Sequence, residues 1–449
     1  MTSIGELSSL TGTHTIIGWV ETIRKFKKHA FLILRDGTGH VQVVSDLEYI
    51  KDIDQEAYIK VTGIISPLPE KAYSYQKVEF RASQIEILSK SDPDFSSKCP
   101  PSSSVEVQLE QRHLYLRDPH FALITKARSL LLKALRKTFE EMGCTEIVPP
   151  CFVGTQCEGG ATLFSLKHPD THGDTQAYLT QSSQFFLEYA VPTFGSTYCI
   201  YPSFRAERSH TRRHLTEFLH AECEWSKILS FADHLAKLEM FFQKTLFHFQ
   251  RYCLKYGDIL KQLDSFAKSS SSLVERMKKL IEMSHDMKIM THREAIQYCR
   301  EHEIYKDEET KTHFEDRDDI AESAERKMID MIGKVVLLCK FPIEHKSFYM
   351  SPDPEDSTLS LGVDVEVPQV GEVIGSGVRV KDMETLKQRM KQEGLKETDY
   401  KEYIDLRKYG FGYTSGMGLG VDRLLTWILD LHSIRMVTSF PRFPGHLTP

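Results

Sequence analysis

Residues 198–226 combine arginines, carboxylates and an aromatic ring in a pattern that could bind a nucleotide. The pattern predicts a strand, a basic loop and a second strand with period-two alternation. Because side chains alternate along a strand, Arg205 and Glu207 project together, as do Phe218 and Glu222 on the partner strand. Arginine matches phosphate oxygens with paired hydrogen bonds, and an aromatic face can stack on a purine. A solvated hairpin with charged residues at its tip is the alternative interpretation.

Two carboxylates in the C-terminal part of the chain could hold a cation. Residues 368–371 read as a turn, so Asp364 and Glu372 could face each other across a hairpin. Facing carboxylates repel each other unless a cation lies between them. Mg²⁺ is commonly held by one or two carboxylates together with nucleotide phosphates, so the pair is a candidate magnesium site. Two independent surface acids are the alternative.

Three glycines precede an apolar helix whose first turn contains Arg423. Gly416, Gly418 and Gly420 would let the backbone approach a ligand closely, because glycine has no Cβ. By itself a glycine-rich strand before a helix is weak evidence for a nucleotide site. Its combination with the basic hairpin strengthens that interpretation.

The elements that must position these groups begin at residues 13–90, where short alternating strands are broken by glycines. About five strands at this spacing predict a small barrel whose order resembles the OB-fold. A basic turn at residues 24–29 is followed by Phe31, and charge beside an aromatic ring suits a single-stranded nucleic acid loop. An ordinary basic turn beside a core phenylalanine is the structural alternative.

Residues 93–117 contain several prolines and serines, a composition that predicts a hinge between domains. A long helix from Phe121 to Met142 follows and ends at Gly143, where glycine suits a C-cap. Because this helix is apolar around much of its circumference, it must be buried on several sides. An internal core or an interface between two copies would satisfy that requirement.

Amphipathic helices fill residues 231–335, to which we assign no chemistry. Capping boxes are predicted at Ser272–Glu275 and Thr291–Glu294. Strands return at residues 344–380, so the chain as a whole predicts an α+β fold.

Length and composition limit the possible classes of protein. A chain of 449 residues can form two or three domains, and its net charge of −6 gives no overall basic signature for nucleic acid. Nine cysteines without a C-x-x-C pair indicate reduced thiols in a cytoplasmic protein. We expect no membrane span, because no apolar run is long enough, and the N-terminus resembles neither a signal nor a transit peptide.

The hairpin closely resembles motif 2 of the class II aminoacyl-tRNA synthetases, with an F-R-x-E opening and an R-H-L-x-E-F close. The stretch GYTSGMGLGVDR resembles motif 3 of the same family. The resemblance extends over nearly the whole chain and singles out the subgroup that charges aspartate, asparagine and lysine. It implies an OB-fold anticodon-binding domain (1–92), a hinge (93–117) and a catalytic domain (118–449) of antiparallel sheet flanked by helices. A helical insertion would occupy about 231–335.

The resemblance also implies roles for individual residues, with ATP as a substrate and Mg²⁺ as a cofactor. The residues implied to bind ATP are Arg205 (α-phosphate), Glu207 (adenine amino group), Phe218 and Arg423 (the two faces of adenine), Arg213 and His214 (γ-phosphate), and Gly420. The residues implied to hold Mg²⁺ are Glu372 and Asp364. The residues implied to bind the amino acid are Glu158, Ser182, Gln184, Glu222 and Arg379.

Two further surfaces are implied by the same resemblance. The residues implied to contact the tRNA anticodon are Arg24, Phe31, Gln42 and Glu79, with Phe31 stacking on the central uridine. Pro150, after the long helix, would lie in the two-fold interface of a homodimer.

The resemblance also implies which amino acid the enzyme would charge, through the residues that line the pocket for its side chain. Aspartyl enzymes of the family carry a lysine at the position of Leu187, paired with the arginine that corresponds to Arg379, and an aspartate at the position of Glu222. With one cation fewer, Arg379 can donate to an amide oxygen while Glu222 accepts from the amide nitrogen. The chain therefore resembles the eukaryotic asparaginyl branch, with L-asparagine and tRNA(Asn) as its expected partners.

Three alternatives remain open from the sequence. An aspartyl enzyme, including one that also charges asparagine tRNA, shares most of these motifs. An ammonia-dependent asparagine synthetase shares the catalytic fold but has no need for an anticodon-binding barrel. A non-enzymatic RNA-binding paralogue would not need the intact Arg205, Glu207, Glu372 and Arg423.

Overall fold

The computed structural model describes residues 1–68, 76–100, 103–157, 163–166, 176–207, 211–266 and 272–448. The chain divides into two compact units, Met1–Tyr115 and Leu116–Pro449. Strands and helices occur in both units, which confirms the predicted α+β class. Among the helices of the described residues, none combines the length and the apolar character needed to cross a membrane.

The first unit is built on a closed five-stranded barrel, as predicted for an OB-fold. Its strands are β1 (Gly12–Lys25), β2 (His29–Arg35), β3 (His40–Asp46), β4 (Tyr58–Pro67) and β5 (Val78–Ser89). They close in the order β1-β2-β3-β5-β4, with β3 and β5 parallel. Alternate residues of β2 and β3 are buried, because the barrel interior is filled by one face of each strand.

The predicted hinge region contains short helices. They are α1 (Phe95–Lys98), α2 (Val105–Glu110) and α3 (Arg112–Tyr115). Ser104 caps the second helix, since its hydroxyl accepts a hydrogen bond from the Val107 amide at 3.4 Å. A serine that suggested a flexible linker is therefore a helix N-cap.

The second unit is organised around an eight-stranded sheet and a separate three-stranded sheet. The strands, in chain order, are β6 (Thr145–Glu146), β7 (Phe152–Val153), β8 (Ser165–Leu166), β9 (Ala177–Leu179), β10 (Thr197–Phe204), β11 (Glu217–Ser226), β12 (Lys288–Thr291), β13 (Val336–Cys339), β14 (Gly362–Val367), β15 (Gly371–Val378) and β16 (Thr414–Gly420). The large sheet has the order β12-β13-β14-β15-β16-β11-β10-β6, and the small sheet has the order β7-β9-β8. The interior pairs of the large sheet are antiparallel, as the resemblance implied.

Helices cover this sheet. They are α4 (Pro119–Glu141), α5 (Gln184–Phe194), α6 (Phe231–Lys255), α7 (Ile259–Asp264), α8 (Leu273–Ser284), α9 (His292–Glu301), α10 (Glu322–Ile332), α11 (Met383–Gln392), α12 (Lys401–Lys408) and α13 (Val421–Ile428). Helix α4 packs on α6, with the rings of Phe139 and Phe241 5.0 Å apart. Contacts within this one chain therefore bury most of the apolar surface of α4.

Two helix starts show how local hydrogen bonds set the boundaries. Asp118 accepts from the Phe121 amide at 2.8 Å, so α4 begins at Pro119, two residues before the predicted start. The capping box at Thr291 is confirmed, because Thr291 and Glu294 exchange both hydrogen bonds. The box predicted at Ser272 is wrong: the Ser272 hydroxyl accepts from the Val274 amide at 3.1 Å and donates to Asp264 at 2.5 Å.

Candidate active site

The predicted nucleotide-binding hairpin is formed by β10 and β11. The two predicted strands are present, and they pair antiparallel with Ser203 opposite Phe218. Arg205 and Glu207 come directly after β10 and are half-buried rather than extended into solvent. Residues 208–210 of the connecting loop lie outside the described residues.

Strand β11 brings the hairpin next to the glycine-rich strand β16. His220 lies opposite Gly420, so Phe218 and Arg423 extend from the same end of two neighbouring strands. The guanidinium carbon of Arg205 is 5.4 Å from the centroid of the Phe218 ring. An aromatic face and two guanidiniums thus converge at one end of the sheet, as a site for adenine and phosphate requires.

Of two further basic residues that precede β11, Arg213 contacts the turn between β14 and β15. Arg213 donates to the carbonyl of Val370 and, at 2.5 Å, to that of Gln369. Burial lowers the pKa of His214, and the positive charge of Arg423 lowers it further. Both groups therefore lie in the electrostatic field of the nucleotide site, and their roles toward the γ-phosphate remain predictions.

The two predicted metal ligands do not pair directly across the β14–β15 hairpin. A bulge after Val365 places Asp364 opposite Gly375 and Glu372 opposite Glu366. Their carboxylates nevertheless converge over Gly375. A Cβ at that position would lie 2.9 Å from Oε1 of Glu372 and 3.8 Å from Oδ1 of Asp364, so the glycine provides the space between them.

The charges around these two carboxylates differ. Lys346 donates to Asp364 at 2.5 Å, and burial raises the pKa of Asp364 to about 6. Burial would also raise the pKa of Glu372, but Arg423 and then Lys346 outweigh it and hold that pKa below its usual value. Glu372 is thus the better anionic ligand of the two.

These donors fit a hard cation such as Mg²⁺. Carboxylate oxygens meeting above a glycine have the chemistry and the room that a magnesium ion needs. In the part of the chain that the structure describes, no group of three or more His, Cys, Asp and Glu residues is arranged to hold a metal. Phosphate and water oxygens would have to complete the coordination.

The predicted amino-acid pocket forms where α5 begins beside β11. Ser182 donates to Oε1 of Glu222, and the Ser183 amide donates to Oε2 at 2.8 Å. The amide of Gln184 donates to the Ser182 hydroxyl at 3.2 Å. Ser183 precedes α5 but makes no side-chain capping bond; its neighbour Ser182 accepts from the first amide of the helix instead. Ser182, Gln184 and Glu222 are therefore held together as one buried cluster.

Arg379 reaches this pocket from the chain that follows β15. Its guanidinium pairs with Glu224, with Nη2 at 2.5 Å and Nε at 3.1 Å from the carboxylate. Burial alone would lower the pKa of Arg379, but Glu224 and Glu188 raise it above its ordinary value. Arg379 thus keeps its charge. Burial raises the pKa of its close partner Glu224 to about 8, although the charge of Arg379 opposes that rise, and Glu188 lies 3.9 Å from Arg379.

The glycines of β16 make room for side chains of the neighbouring strands. A Cβ at Gly416 would overlap the Glu224 carboxylate and the Arg379 guanidinium, and one at Gly418 would overlap the His220 ring. The glycines thus allow a close approach to the backbone of β16, as predicted. The groups that approach it are side chains of this protein rather than a ligand. Any larger residue at 416 would displace the buried ion pair.

Sequence reasoning missed three residues that complete the pocket. Glu188 accepts hydrogen bonds from Gln184, Tyr403 and Arg407, at 2.9, 2.8 and 2.7 Å. Its position four residues after Gln184 on α5, and that of Arg407 four residues after Tyr403 on α12, place each pair on one helix face. This spacing was the available signal, but it does not reveal that the two helices face each other.

An exposed aromatic cluster marks the predicted anticodon face of the barrel. Arg24 on β1 lies opposite Phe31 on β2. The rings of Phe26 and His29 meet the Phe31 ring edge-on, with centroids 5.4 and 5.0 Å away. This face offers rings and positive charge together, which suits unpaired bases.

The other two predicted anticodon residues are paired across β3 and β5. Gln42 lies opposite Glu79. Glu79 is buried, and its carboxylate accepts from Nε of Arg81 at 3.2 Å. Its oxygens are therefore partly occupied by Arg81, while Gln42 remains half-exposed.

The last two predicted residues are Glu158 and Pro150. Glu158, expected at the α-ammonium, lies outside the described residues. Pro150, expected in a dimer interface, is exposed between Val148 and Phe152, which are 78% and 60% exposed.

Both parts of the chain match known protein families. Residues 104–444 match the family profile of the class II tRNA synthetases (D, K and N), and residues 14–88 match that of the OB-fold nucleic acid binding domain. The chain is 38% identical to the cytoplasmic asparagine–tRNA ligase of Saccharomyces cerevisiae, and the match covers 97% of this chain and 76% of that protein.

Solved structures agree with the sequence relatives. The asparaginyl-tRNA synthetase of Entamoeba histolytica in complex with asparaginyl-adenylate is 32% identical with a TM-score of 0.85, covering 97% of this chain and 96% of that one. The asparaginyl-tRNA synthetase of Pyrococcus horikoshii complexed with asparaginyl-adenylate is 30% identical with a TM-score of 0.86, covering 100% and 99%. The chain therefore belongs to the class II tRNA synthetases and, within them, to the asparaginyl-tRNA synthetase family.

Proposed function

We propose that this chain activates L-asparagine with ATP and transfers it to tRNA(Asn) in the cytoplasm, the compartment that its relatives' names give. The observation that carries the proposal is the buried pair of Arg379 and Glu224 beside Ser182 and Gln184. A guanidinium that already faces a carboxylate can donate to a carboxamide oxygen but cannot compensate a further negative charge. The pocket shares strand β11 with the ring of Phe218, so the amino acid and the nucleotide would lie side by side.

In the first step, a carboxylate oxygen of asparagine attacks the α-phosphorus of ATP and pyrophosphate leaves. The nucleophile is already ionised, so alignment and charge neutralisation matter more than a general base. Arg205 would neutralise the α-phosphate, while Phe218 and Arg423 would hold adenine between a ring and a guanidinium. Mg²⁺, held by Glu372 and Asp364, would supply further neutralisation of the phosphates when bound.

In the second step, the 3′-hydroxyl of the terminal adenosine of tRNA attacks the carbonyl carbon of the adenylate, and AMP leaves. The aromatic and basic face around Phe31 and Arg24 would select the tRNA by its anticodon.

The first step can be tested without tRNA, because pyrophosphate exchange reports adenylate formation alone.

Purified protein with Mg-ATP is expected to exchange pyrophosphate into ATP with asparagine and far less with aspartate. Complementary hydrogen bonds can discriminate by roughly 10⁴-fold without editing. Preferential exchange with aspartate would identify an aspartyl enzyme. Free asparagine formed from aspartate and ammonia would identify a synthetase of the amino acid, and tRNA binding without exchange would support a non-enzymatic paralogue.

Leu187→Lys is expected to shift exchange toward aspartate. Leu187 is fully buried three residues after Gln184, where aspartyl enzymes of the family carry a lysine. A cation there should improve the ratio of aspartate to asparagine exchange by roughly tenfold or more, since buried charges interact strongly. Leu187→Met is the matched control. An unchanged ratio in a folded Leu187→Lys protein would contradict the assignment of this position.

Phe31→Ala is expected to weaken tRNA use without affecting adenylate formation. Stacking of a base on an aromatic ring contributes about 1–3 kcal/mol, so the KM for tRNA should rise roughly 5- to 150-fold. Exchange without tRNA should be unchanged. Trp19→Ala, an exposed ring that contacts Tyr58 at 4.6 Å on the same barrel, is the control that should leave the KM for tRNA as it is.

A homodimer is part of the same proposal. The exposed apolar side chains of Val148 and Phe152, on either side of Pro150, form the surface that a second copy would cover. Phe152→Asp is expected to shift the protein to monomers in sedimentation analysis. Wild-type protein that sediments as a monomer at micromolar concentration would contradict the dimer.

A further inference from the structure

A fully buried carboxylate, Glu188, connects Gln184 and Arg379, two of the residues implied to bind the amino acid. It accepts from Nε2 of Gln184 at 2.9 Å, and its Oε1 lies 3.9 Å from Nε of Arg379. The exposed fraction of Glu188 is 0%. No water can therefore take over either of these interactions without rearrangement.

Helix α12 also holds Glu188 in place. Tyr403 donates to its carboxylate at 2.8 Å and Arg407 at 2.7 Å. Arg407 in turn donates to the Val380 carbonyl at 3.1 Å, next to Arg379 in the chain. Glu188 is thus held from two directions, and its position fixes the groups in front of it.

This arrangement has two consequences for the pocket. One N–H of the Gln184 side chain is committed to Glu188, which fixes the amide orientation and leaves its second N–H and its carbonyl oxygen for the pocket. Arg379 pairs closely with Glu224 and lies 3.9 Å from Glu188, whose carboxylate is shared with Arg407 at 2.7 Å, so acidic groups offset much of the charge of Arg379. It can still donate N–H groups to a neutral oxygen.

We propose that Glu188 is a specificity-determining positioning residue, which neutralises Arg379 from behind and so excludes a substrate whose side chain is a carboxylate. The proposal rests on the proposed function and extends it to a residue that contacts no substrate. The competing explanation is structural: Glu188 would only balance the buried charge of Arg407 and keep α5 and α12 together.

Glu188→Gln separates the two explanations. The amide keeps the shape but removes the charge behind Arg379, so the ratio of kcat/KM for asparagine over aspartate should fall roughly 10- to 100-fold. Tyr403→Phe is the matched control, because it removes a hydrogen bond to the same carboxylate and leaves every charge in place. It should keep the wild-type ratio even if the protein is less stable.

The expected result is a lower ratio in Glu188→Gln alone, measured by pyrophosphate exchange with both amino acids. Equal ratios in the two variants and the wild type would overturn the proposal. A wild-type protein without asparagine-dependent exchange would overturn the proposed function instead, so the two failures are distinguishable.

A measurement on the wild-type protein covers the case in which Glu188→Gln does not fold. L-aspartate and its β-methyl ester are similar in shape, but only the first carries a negative side chain. If the pocket excludes the charge, the ester should inhibit asparagine-dependent exchange at a concentration at least roughly tenfold lower than the concentration of aspartate needed for the same inhibition. Inhibition at equal concentrations would contradict exclusion by charge.

Discussion

Glu372→Gln is expected to slow asparagine-dependent pyrophosphate exchange by roughly 100-fold or more, because a metal clamp on phosphate oxygens is worth several kcal/mol. The amide would remove the one carboxylate of the hairpin whose pKa is held below its usual value. It would also weaken the contact with Arg423, whose Nη1 lies 3.5 Å from Oε2 of Glu372. Exchange measured over a range of MgCl₂ concentrations should show a higher requirement for the metal.

Glu366→Gln is the matched control on the same hairpin. Glu366 is the cross-strand partner of Glu372, and its pKa is raised by burial and then by the nearby Glu325 and Glu372. Burial therefore favours the protonated form of Glu366, which glutamine imitates. The variant should retain most of the exchange rate and its metal dependence. Equal losses in both variants would show that the hairpin, rather than the Glu372 charge, matters.

Arg379→Gln is expected to have the second large effect, on both binding and stability. Glu224 would remain buried without its partner, which costs about 3–5 kcal/mol in the free energy of unfolding. The KM for asparagine should rise by roughly 100-fold, because a charged donor to the amide oxygen is worth about 1.5–3 kcal/mol and the pocket loses its shape as well. Urea denaturation and exchange kinetics on the same preparation measure the two effects.

The double variant Arg379→Gln/Glu224→Gln separates folding from recognition. Replacing both members of a buried ion pair with neutral groups of similar size is often close to neutral for stability. The double variant should therefore recover much of the lost stability, while the high KM for asparagine persists. If the double variant recovered both the wild-type stability and the wild-type KM for asparagine, Arg379 would act only by stabilising the fold.

Local patterns in the sequence determined the elements of the site. The pattern of residues 198–226 predicted the two strands of the hairpin, and the spacing of short strands predicted the barrel. These predictions succeed because strand alternation is a property of consecutive residues. The same holds for the capping box at Thr291, whose partners lie three residues apart.

Only the tertiary structure decided which charges meet. Glu188 and Arg407 are 219 residues apart in the chain, and Arg379 and Glu224 are 155 apart. No periodic pattern encodes such pairs, because they depend on how the strands of the large sheet are ordered and on the crossing of α5 and α12. A bulge after Val365 likewise shifted the expected partners of Asp364 and Glu372, since one extra residue changes the register of a hairpin.

The sequence by itself thus determined the family, the hairpin and the residues expected at the nucleotide. The tertiary structure decided that Arg379 is paired with Glu224 and that Glu188 lies 3.9 Å from it. The reason is physical: backbone conformation follows from neighbouring residues, whereas the free energy of a buried charge depends on every group that folding brings around it.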